Sequence, residues 1–316
     1  MTNMKISTSC FAVVVSLLLL QLVHANEQDD TPKYALKLSQ GITHSEFHWS
    51  INGNPSPNIL SELHWRDLEI DQTQLRFDLK QQNFRYRFEV GYGSISSGKN
   101  QDSDFLNNNR QNEFSRSYSD VSGETIDFGF TLGYDLILSK PNRLIFTPMI
   151  GLSSFEQRLG MHNGTKVIDY NGINISPTNE PLIGLDSSYD TDWDTRWFGG
   201  EIHWQVISKL RLNLNYQYHY DIDYFATANW NLRTNFQHPV SFIHKAERGE
   251  GHLASLSASY QIHPQLQLSA HYSYLKLKAT EGLDITYFSN NTAGATGLNI
   301  AEVKSNSLLL GIIWIP

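Results

Sequence analysis

Residues 210–221 read LRLNLNYQYHYD, and apolar or aromatic residues there alternate with polar ones. The same period of two runs through 84–92 (FRYRFEVGY) and 125–136 (TIDFGFTLGYDL). Successive side chains of a β-strand point to opposite faces, so this period indicates strands with one apolar and one polar face. A soluble sandwich also alternates in this way. The aromatic residues near the strand ends favour strands that meet lipid.

The connections between the predicted strands alternate between short turns and long loops. Strands are predicted at 33–49, 58–80, 84–98, 122–138, 142–157, 192–207, 209–225, 249–263, 265–280 and 302–315. Long loops are predicted at 50–57, 99–121, 158–191, 226–248 and 281–301. Short periplasmic turns, longer outer loops and an even number of strands are typical of bacterial outer-membrane barrels. The predicted fold class is therefore all-β, a ten-stranded antiparallel transmembrane β-barrel.

The first residues of the chain have the pattern of a secretory signal. Lys5 precedes an apolar run at 11–22, and Val23-His24-Ala25 fits a cleavage site for a signal peptidase. We therefore expect a signal peptide at 1–25 and one barrel domain at 26–316. The single cysteine, Cys10, precedes the apolar run. The mature chain is thus expected to have neither a lipidated cysteine nor a disulfide.

Charge and hydropathy limit the possible partners. The chain has 24 Lys and Arg against 32 Asp and Glu, a net charge of -8, which argues against a nucleic-acid partner. The mean hydropathy of -0.37 resembles that of a soluble protein, but a membrane barrel presents only alternate residues to lipid. We expect an outer-membrane location with the loops at the cell surface. The expected partners are outer-membrane lipid, including lipopolysaccharide, and a peptide or host protein at the loops. No metal or cofactor motif is recognised.

Many residues predicted to face the bore are charged. Glu62, Arg66, Arg76, Arg87 and Asp127 are examples. In a barrel slightly wider than eight strands, such side chains fill the interior with ion pairs. This interpretation favours a plugged barrel, and a narrow water-filled channel is the alternative, which predicts conductance in planar bilayers.

Four segments, in their order along the chain, resemble the omptins, which are ten-stranded outer-membrane endopeptidases. These segments are 61–65 (SELHW), 91–105, 216–218 (YQY) and 260–264 (YQIHP). The resemblance implies a water-activating site in the barrel mouth, where an Asp pair faces an Asp-x-His motif across a water molecule. It also implies cleavage at basic residues without a cofactor.

Of the two catalytic motifs that the resemblance implies, this sequence contains only the Asp pair. Asp102 and Asp104 match the Asp pair in type, spacing and predicted loop position. The segment 228–233 (ANWNLR) stands where the family has Asp-x-His, and the predicted loop 226–248 contains no aspartate. The nearest substitute is His219 with Asp221, expected to face inward at the top of one strand. A histidine oriented by a carboxylate is able to take a proton from water near neutral pH.

Two further residues are candidates for substrate binding. Glu46, expected to face inward on the first strand, resembles a family position that receives a basic side chain. Trp230 lies in the mouth loop, where an exposed indole would bind a ligand by stacking, although an ordinary packed aromatic explains it as well.

Other interpretations of the acidic residues remain open. Asp102-Ser103-Asp104 is also ordinary turn chemistry, because Asp and Ser bond their own backbone. In another interpretation, the two aspartates and Asp120 supply oxygen ligands to a calcium ion. Asp190 and its acidic neighbours fit a solvated rim.

The sequence thus predicts an omptin-like surface barrel whose catalytic site is incomplete. Because the members of a catalytic unit depend on one another, losing half of the unit removes most of its rate. We therefore expect a non-catalytic binding, adhesion or structural role. An active endopeptidase that cleaves at basic residues through an activated water is the alternative.

Overall fold

A computed structural model describes residues 33–141, 143–170 and 172–316. The predicted signal peptide at 1–25 lies outside these residues. The strands are β1 Lys33–Ile51, β2 Ser61–Gln81, β3 Phe84–Asn107, β4 Gln111–Tyr134, β5 Leu136–Ser139, β6 Leu144–Tyr170, β7 Ile175–Leu182, β8 Ser187–Ile207, β9 Leu210–Asn229, β10 Phe242–Ala246, β11 Arg248–His263, β12 Leu266–Tyr287 and β13 Ala293–Trp314. Within these ranges, no helix is long and apolar enough to cross a membrane.

The strands form one closed antiparallel ring. The first strand pairs with the last from Leu36 opposite Trp314 up to Ile51 opposite Leu298. β5 continues β4 beside β6, and β10 and β11 together occupy one position between β9 and β12. β7 folds back on the upper part of β6. The ring therefore has ten wall positions, which confirms the predicted ten-stranded barrel.

The strands extend farther than their alternation predicts. β3 continues to Asn107 and β6 to Tyr170, so most of the predicted loops 99–121 and 158–191 is strand. A strand needs about 9–11 residues to cross a bilayer. The surplus rises beyond the membrane on the side of the long loops, where neither face meets lipid and the sequence loses its regular apolar period.

An apolar band surrounds the half of the barrel that is nearer the short turns. Its outward residues include Leu38, Phe128, Ile150, Leu214 and Leu310, with exposed fractions between 51% and 64%. Further from the turns, the outward residues become polar or charged. Examples are His44, Asp71, Glu124, Glu156 and Lys304. Lipid-facing bands of this kind define the membrane-spanning segments, and everything beyond them lies above the membrane.

β-Bulges above the band exchange the inward and outward faces of individual strands. On β2, Ile70 and Leu68 face inward below a bulge, and Trp65 and Leu63 face inward above it. The bulged residue Asp67 has a φ of 53°, a left-handed conformation that L residues seldom adopt. One extra residue reverses the alternation of the rest of the strand. The prediction that Glu62 and Arg66 face the bore is therefore wrong.

The interior consists of three layers. Near the turns, the Arg87 guanidinium lies 2.8 Å from Glu201, and Lys80 and Arg85 both bind Asp135. In this layer ion pairs fill the bore as predicted, but they do not extend through the rest of the interior. A polar cavity of about 160 Å³ lies above it. The third layer, above the membrane, is a hydrophobic core that we call the upper core. Its largest fully buried members are Trp65, Trp193, Tyr189, Tyr224, Phe47, Leu63, Leu68 and Ile70.

The Arg87–Glu201 pair gives a testable prediction. Arg87→Met leaves Glu201 as a buried charge without its main partner, which costs about 3–5 kcal/mol. Adding Glu201→Gln should restore much of this loss, since it removes the orphaned charge. Urea unfolding of the barrel in detergent measures the free energy of unfolding.

The matched control is Arg248→Met, because Arg248 and its partner Glu281 are 75% and 67% exposed. Such an exposed pair contributes about 0–1 kcal/mol. Equal losses for Arg87→Met and Arg248→Met would contradict the idea that the ionic layer supports the barrel.

Candidate functional site

The two candidate aspartates lie on the upper part of β3, above the apolar band. Asp102 pairs with Leu63 of β2, and Asp104 pairs with Ser61. Leu63 belongs to the upper core, so both carboxyl groups point into the barrel mouth. The predicted loop position is wrong, because both residues sit within a strand. Their spacing of two residues places them on the same face of that strand.

The surroundings of the pair favour one retained proton. Burial, together with the adjacent charge of Asp104, raises the pKa of Asp102 to about 8. Burial also raises the pKa of Asp104, although the nearby Ser61 and Ser115 hydroxyls and Arg233 oppose this effect. Two largely buried carboxylates held close together cannot both ionise readily. At neutral pH the pair therefore carries a proton that it is able to share or donate.

The loop between β9 and β10 supplies the groups opposite this pair. The Trp230 indole lies beside Asp102 and lowers the pKa of this carboxyl group. The Arg233 guanidinium lies 3.9 Å from the Asp104 carboxylate and is 53% exposed. A guanidinium is always charged and accepts no hydrogen bond, and an indole N–H only donates. Neither group is able to act as a general base.

Packing fixes Trp230 over the upper core. Its ring centroid lies 4.7 Å from that of Phe242 and 6.4 Å from that of Tyr189. Its backbone N–H donates to the Ser241 hydroxyl at 2.9 Å, and its carbonyl accepts from the Arg233 N–H at 2.9 Å. The indole is thus packed, as the ordinary interpretation of this aromatic has it, and a role of Trp230 in ligand binding stays a prediction.

The predicted His219–Asp221 pair does not form. His219 faces the bore, where its Nδ1 lies 2.9 Å from the Thr195 hydroxyl. Asp221 faces the outside and forms an ion pair with Arg196. The reason is a bulge in β9: Trp197 of β8 pairs with His219, but the next residue, Arg196, pairs with Asp221. Tyr220 is the extra residue, and it reverses the alternation that places both side chains on one face.

Glu46 also lies on the face opposite to the predicted one. Lys37, Ser39, Thr43 and Ser45 of β1 are buried, and Glu46 is exposed. The odd-numbered residues of this strand therefore face inward, and the prediction of an inward Glu46 is wrong.

A buried chain of hydrogen bonds lies beside the site and is not predicted from the sequence. The Tyr224 and Tyr189 hydroxyls are 2.7 Å apart, and the Tyr189 hydroxyl lies 2.7 Å from Nδ1 of His244. Nε2 of His244 lies 3.1 Å from the Asp284 carboxylate. His244 is fully buried, and both of its ring nitrogens are occupied. No local motif signals this chain, because Asp284 comes from β12, 40 residues away.

The remaining acidic residues stay apart from the mouth. Asp120 faces outward and binds Lys99 at 2.5 Å, so it does not join Asp102 and Asp104 as the calcium alternative requires. Asp190 and Asp192 form part of an outer rim. Within 33–141, 143–170 and 172–316, no three His, Cys, Asp or Glu side chains are grouped so that they could hold a metal ion.

The retained proton makes the stability of the barrel depend on pH. Because folding raises the pKa of Asp102, its protonated form contributes stability that is lost as pH rises through about 8. Asp102→Asn mimics the neutral carboxyl, so its stability relative to wild type should increase between pH about 6 and about 9. Urea midpoints in detergent across this range test the effect.

Asp120→Asn is the matched control. Hydrogen bonds from Lys99 and Asn163 lower the pKa of Asp120, so it stays ionised throughout this range. Its difference from wild type should therefore be constant. A constant difference for Asp102→Asn as well would show that the pair holds no proton.

The chain was compared with known families and solved structures. Residues 37–313 match the family model described as Pom, Protochlamydia outer membrane protein. None of the curated proteins matches the sequence significantly. The outer membrane protease OmpT from Escherichia coli superimposes with a TM-score of 0.77 at 13% identity, over 92% of this chain and 99% of that chain. At such low identity the likeness shows the fold alone.

More distant barrels also align. The translocator domain of the autotransporter NalP from Neisseria meningitidis gives a TM-score of 0.35 at 11% identity, over 98% of this chain and 97% of that one. The family match extends over most of the chain, from β1 to the last residues of β13. The chain therefore belongs to the Pom family of outer-membrane proteins, and it resembles omptins in its fold.

Proposed function

We propose that this barrel is a non-catalytic surface protein that binds an extracellular peptide or protein at its mouth. The observation that carries the proposal is the pairing of Asp102 and Asp104 with Trp230 and Arg233. The omptin resemblance would require a water-activating imidazole where these two residues stand. The carboxyl pair offers proton donors and acceptors to a ligand, and the indole offers a flat apolar face.

The positions of His244 and His219 support a binding role over hydrolysis. A general base must lie within hydrogen-bond reach of the water it activates, directly or through one more water. His244 is sealed within the upper core by Tyr189 and Asp284. His219 is bound to Thr195, and its partner in the prediction, Asp221, lies on the outer wall.

The layered interior also supports a role at the mouth. Fully buried aromatic side chains of the upper core, such as Trp65 and Trp193, fill the barrel above the polar cavity. A ligand arriving from outside therefore meets Trp230 and the carboxyl pair before it meets any interior space.

One observation favours a second candidate, an endopeptidase of the aspartic type. Two carboxyl groups that share one proton are able to activate a water without a histidine. The raised pKa of Asp102 beside Asp104 fits that chemistry. Arg233 opposes it, since a nearby cation favours ionisation of both groups.

A peptide assay separates the two candidates. Wild-type protein, refolded in detergent with lipopolysaccharide, is incubated with Lys- and Arg-rich peptides, and Asp102→Ala with Asp104→Ala serves as the comparison. We expect intact peptides in both cases, as judged by mass spectrometry. Cleavage by the wild type that the double variant lacks would establish the endopeptidase and overturn the non-catalytic proposal.

Ligand binding is tested by replacing 230–240 with a short Gly-Ser linker. This change removes Trp230 and Arg233 but leaves β9 and β10 intact, since they end at Asn229 and begin at Phe242. Immobilised wild-type barrel should retain extracellular peptides or proteins that the variant does not. A matched replacement at 172–174, in the turn between β6 and β7, should preserve binding, and equal retention by all three proteins would contradict a mouth site.

A further inference from the structure

The end of the barrel that carries the short turns differs in charge from the chain as a whole. The full chain has a net charge of -8. The short turns at 82–83, 140–143, 208–209 and 264–265 contain no Asp or Glu. Their charged residues are Lys140, Arg143 and Lys209, and all three side chains are exposed. We call these three residues the turn cations.

The turn cations lie on neighbouring hairpins. Arg143 directly precedes Leu144, which pairs with Trp204 of β8. The Gln205 N–H donates a hydrogen bond to the Arg143 carbonyl at 3.3 Å, and β8 then leads into the turn that contains Lys209. Within the described ranges, none of the turn cations has an ion-pair partner. Their charges are therefore available to an external anion.

Aromatic side chains mark the level of the membrane interface at this end. Outward-facing aromatic residues near the short turns form a girdle, with exposed fractions between 41% and 46%. They are Tyr34, Phe84, Tyr134, Trp204, Tyr260 and Trp314. Trp and Tyr are concentrated where the acyl chains of a bilayer meet its headgroups. The turn cations follow this girdle in the direction of the short turns, so they lie at the level of the lipid headgroups.

Apolar residues beside the turn cations indicate that this end of the barrel contacts lipid. Ile137 and Leu138 of β5 are 58% and 59% exposed, and Ile207, at the end of β8, is 56% exposed. Neighbouring exposed aliphatic side chains mark an interaction surface, which here adjoins the lipid-facing wall. The apolar residues and the turn cations together match the acyl chains and the phosphate of a phospholipid.

We propose that the turn cations bind the phosphate of anionic phospholipids in the leaflet that surrounds the short turns. A zwitterionic headgroup carries its own cation, which competes for the phosphate, whereas phosphatidylglycerol has a net negative charge. Cations at a membrane surface attract anionic lipid within about a Debye length, which is about 8 Å at physiological ionic strength. The barrel therefore selects its neighbouring lipids at this end, independently of the site at its mouth.

The test is the quenching of tryptophan fluorescence by phospholipids with brominated acyl chains. Trp204 and Trp314 are both 45% exposed in the lipid-facing wall. The other indoles are buried (Trp49, Trp65, Trp193 and Trp197) or packed over the upper core (Trp230). In a Trp314→Phe background, Trp204 thus reports the lipid beside the turn cations. Its quenching is measured in vesicles of phosphatidylcholine and phosphatidylglycerol, with one lipid brominated at a time.

The protein with its natural turns should prefer phosphatidylglycerol by about fivefold, the effect of one cation near an anionic surface. The combined substitutions Lys140→Gln, Arg143→Gln and Lys209→Gln should remove most of this preference. Added salt should weaken the preference of the natural turns, because it screens exposed charges.

The matched control is the combination of Lys99→Gln, Lys245→Gln and Arg248→Gln. These three cations are also exposed, but they lie above the apolar band. The control should keep the preference, and heat-modifiable mobility on gels shows that each variant is folded. Equal quenching by the two brominated lipids, or an unchanged preference in the folded turn variant, would overturn the proposal. Retention of poly-glutamate would then assign the turn cations to an acidic protein instead.

Discussion

In a closed ring of strands, each side chain faces either the interior or the exterior of the barrel. Backbone pairing runs from β1 through every wall to β13, so no strand is able to rotate and present its other face. Only an extra residue in one strand exchanges the two faces. The bulges at Asp67 in β2 and at Tyr220 in β9 make this exchange above the apolar band. The contents of the barrel mouth depend on them.

Two interiors lie within one barrel. Near the short turns, the inward residues are polar or charged and include the Arg87–Glu201 pair. Around and above the bulges, the inward residues form the upper core, which surrounds the His244–Asp284 hydrogen bond and supports Trp230. The same exchange directs Asp221 outward. A barrel with uninterrupted alternation would instead place charged side chains in the mouth.

Most of the fold could be predicted because its signals are local. The apolar period of two, the short turns and the charged inward residues of the lower barrel each appear within a few neighbouring residues. The strand ends were less predictable, because β3 and β6 continue above the membrane, where lipid no longer imposes an apolar face. The single residue that makes a bulge has no clear signal in the sequence, so the alternation places Glu62, Arg66 and Asp221 on the wrong face.

The candidate site could be predicted only in part for the same reason. Asp102 and Asp104 are two residues apart, so they share one face of the strand whatever its register. The resemblance places Glu46 on the wrong face because it does not fix the local register of the first strand. His244 and Asp284 meet across two strands, and their distance in the sequence hides the contact. The role of Trp230 depends on Phe242 and Asp102, which are brought to it only by the closed ring.

Cysteine labelling in intact cells tests the exchange of faces most directly. The natural chain has a single cysteine, Cys10, within the predicted signal peptide, so an introduced thiol reports alone. The account predicts that a membrane-impermeant maleimide labels Asp221→Cys and Asp223→Cys and spares Ile222→Cys and Tyr224→Cys. Labelling at 222 and 224 with protection at 221 and 223 would contradict it, since β9 would then alternate without a bulge.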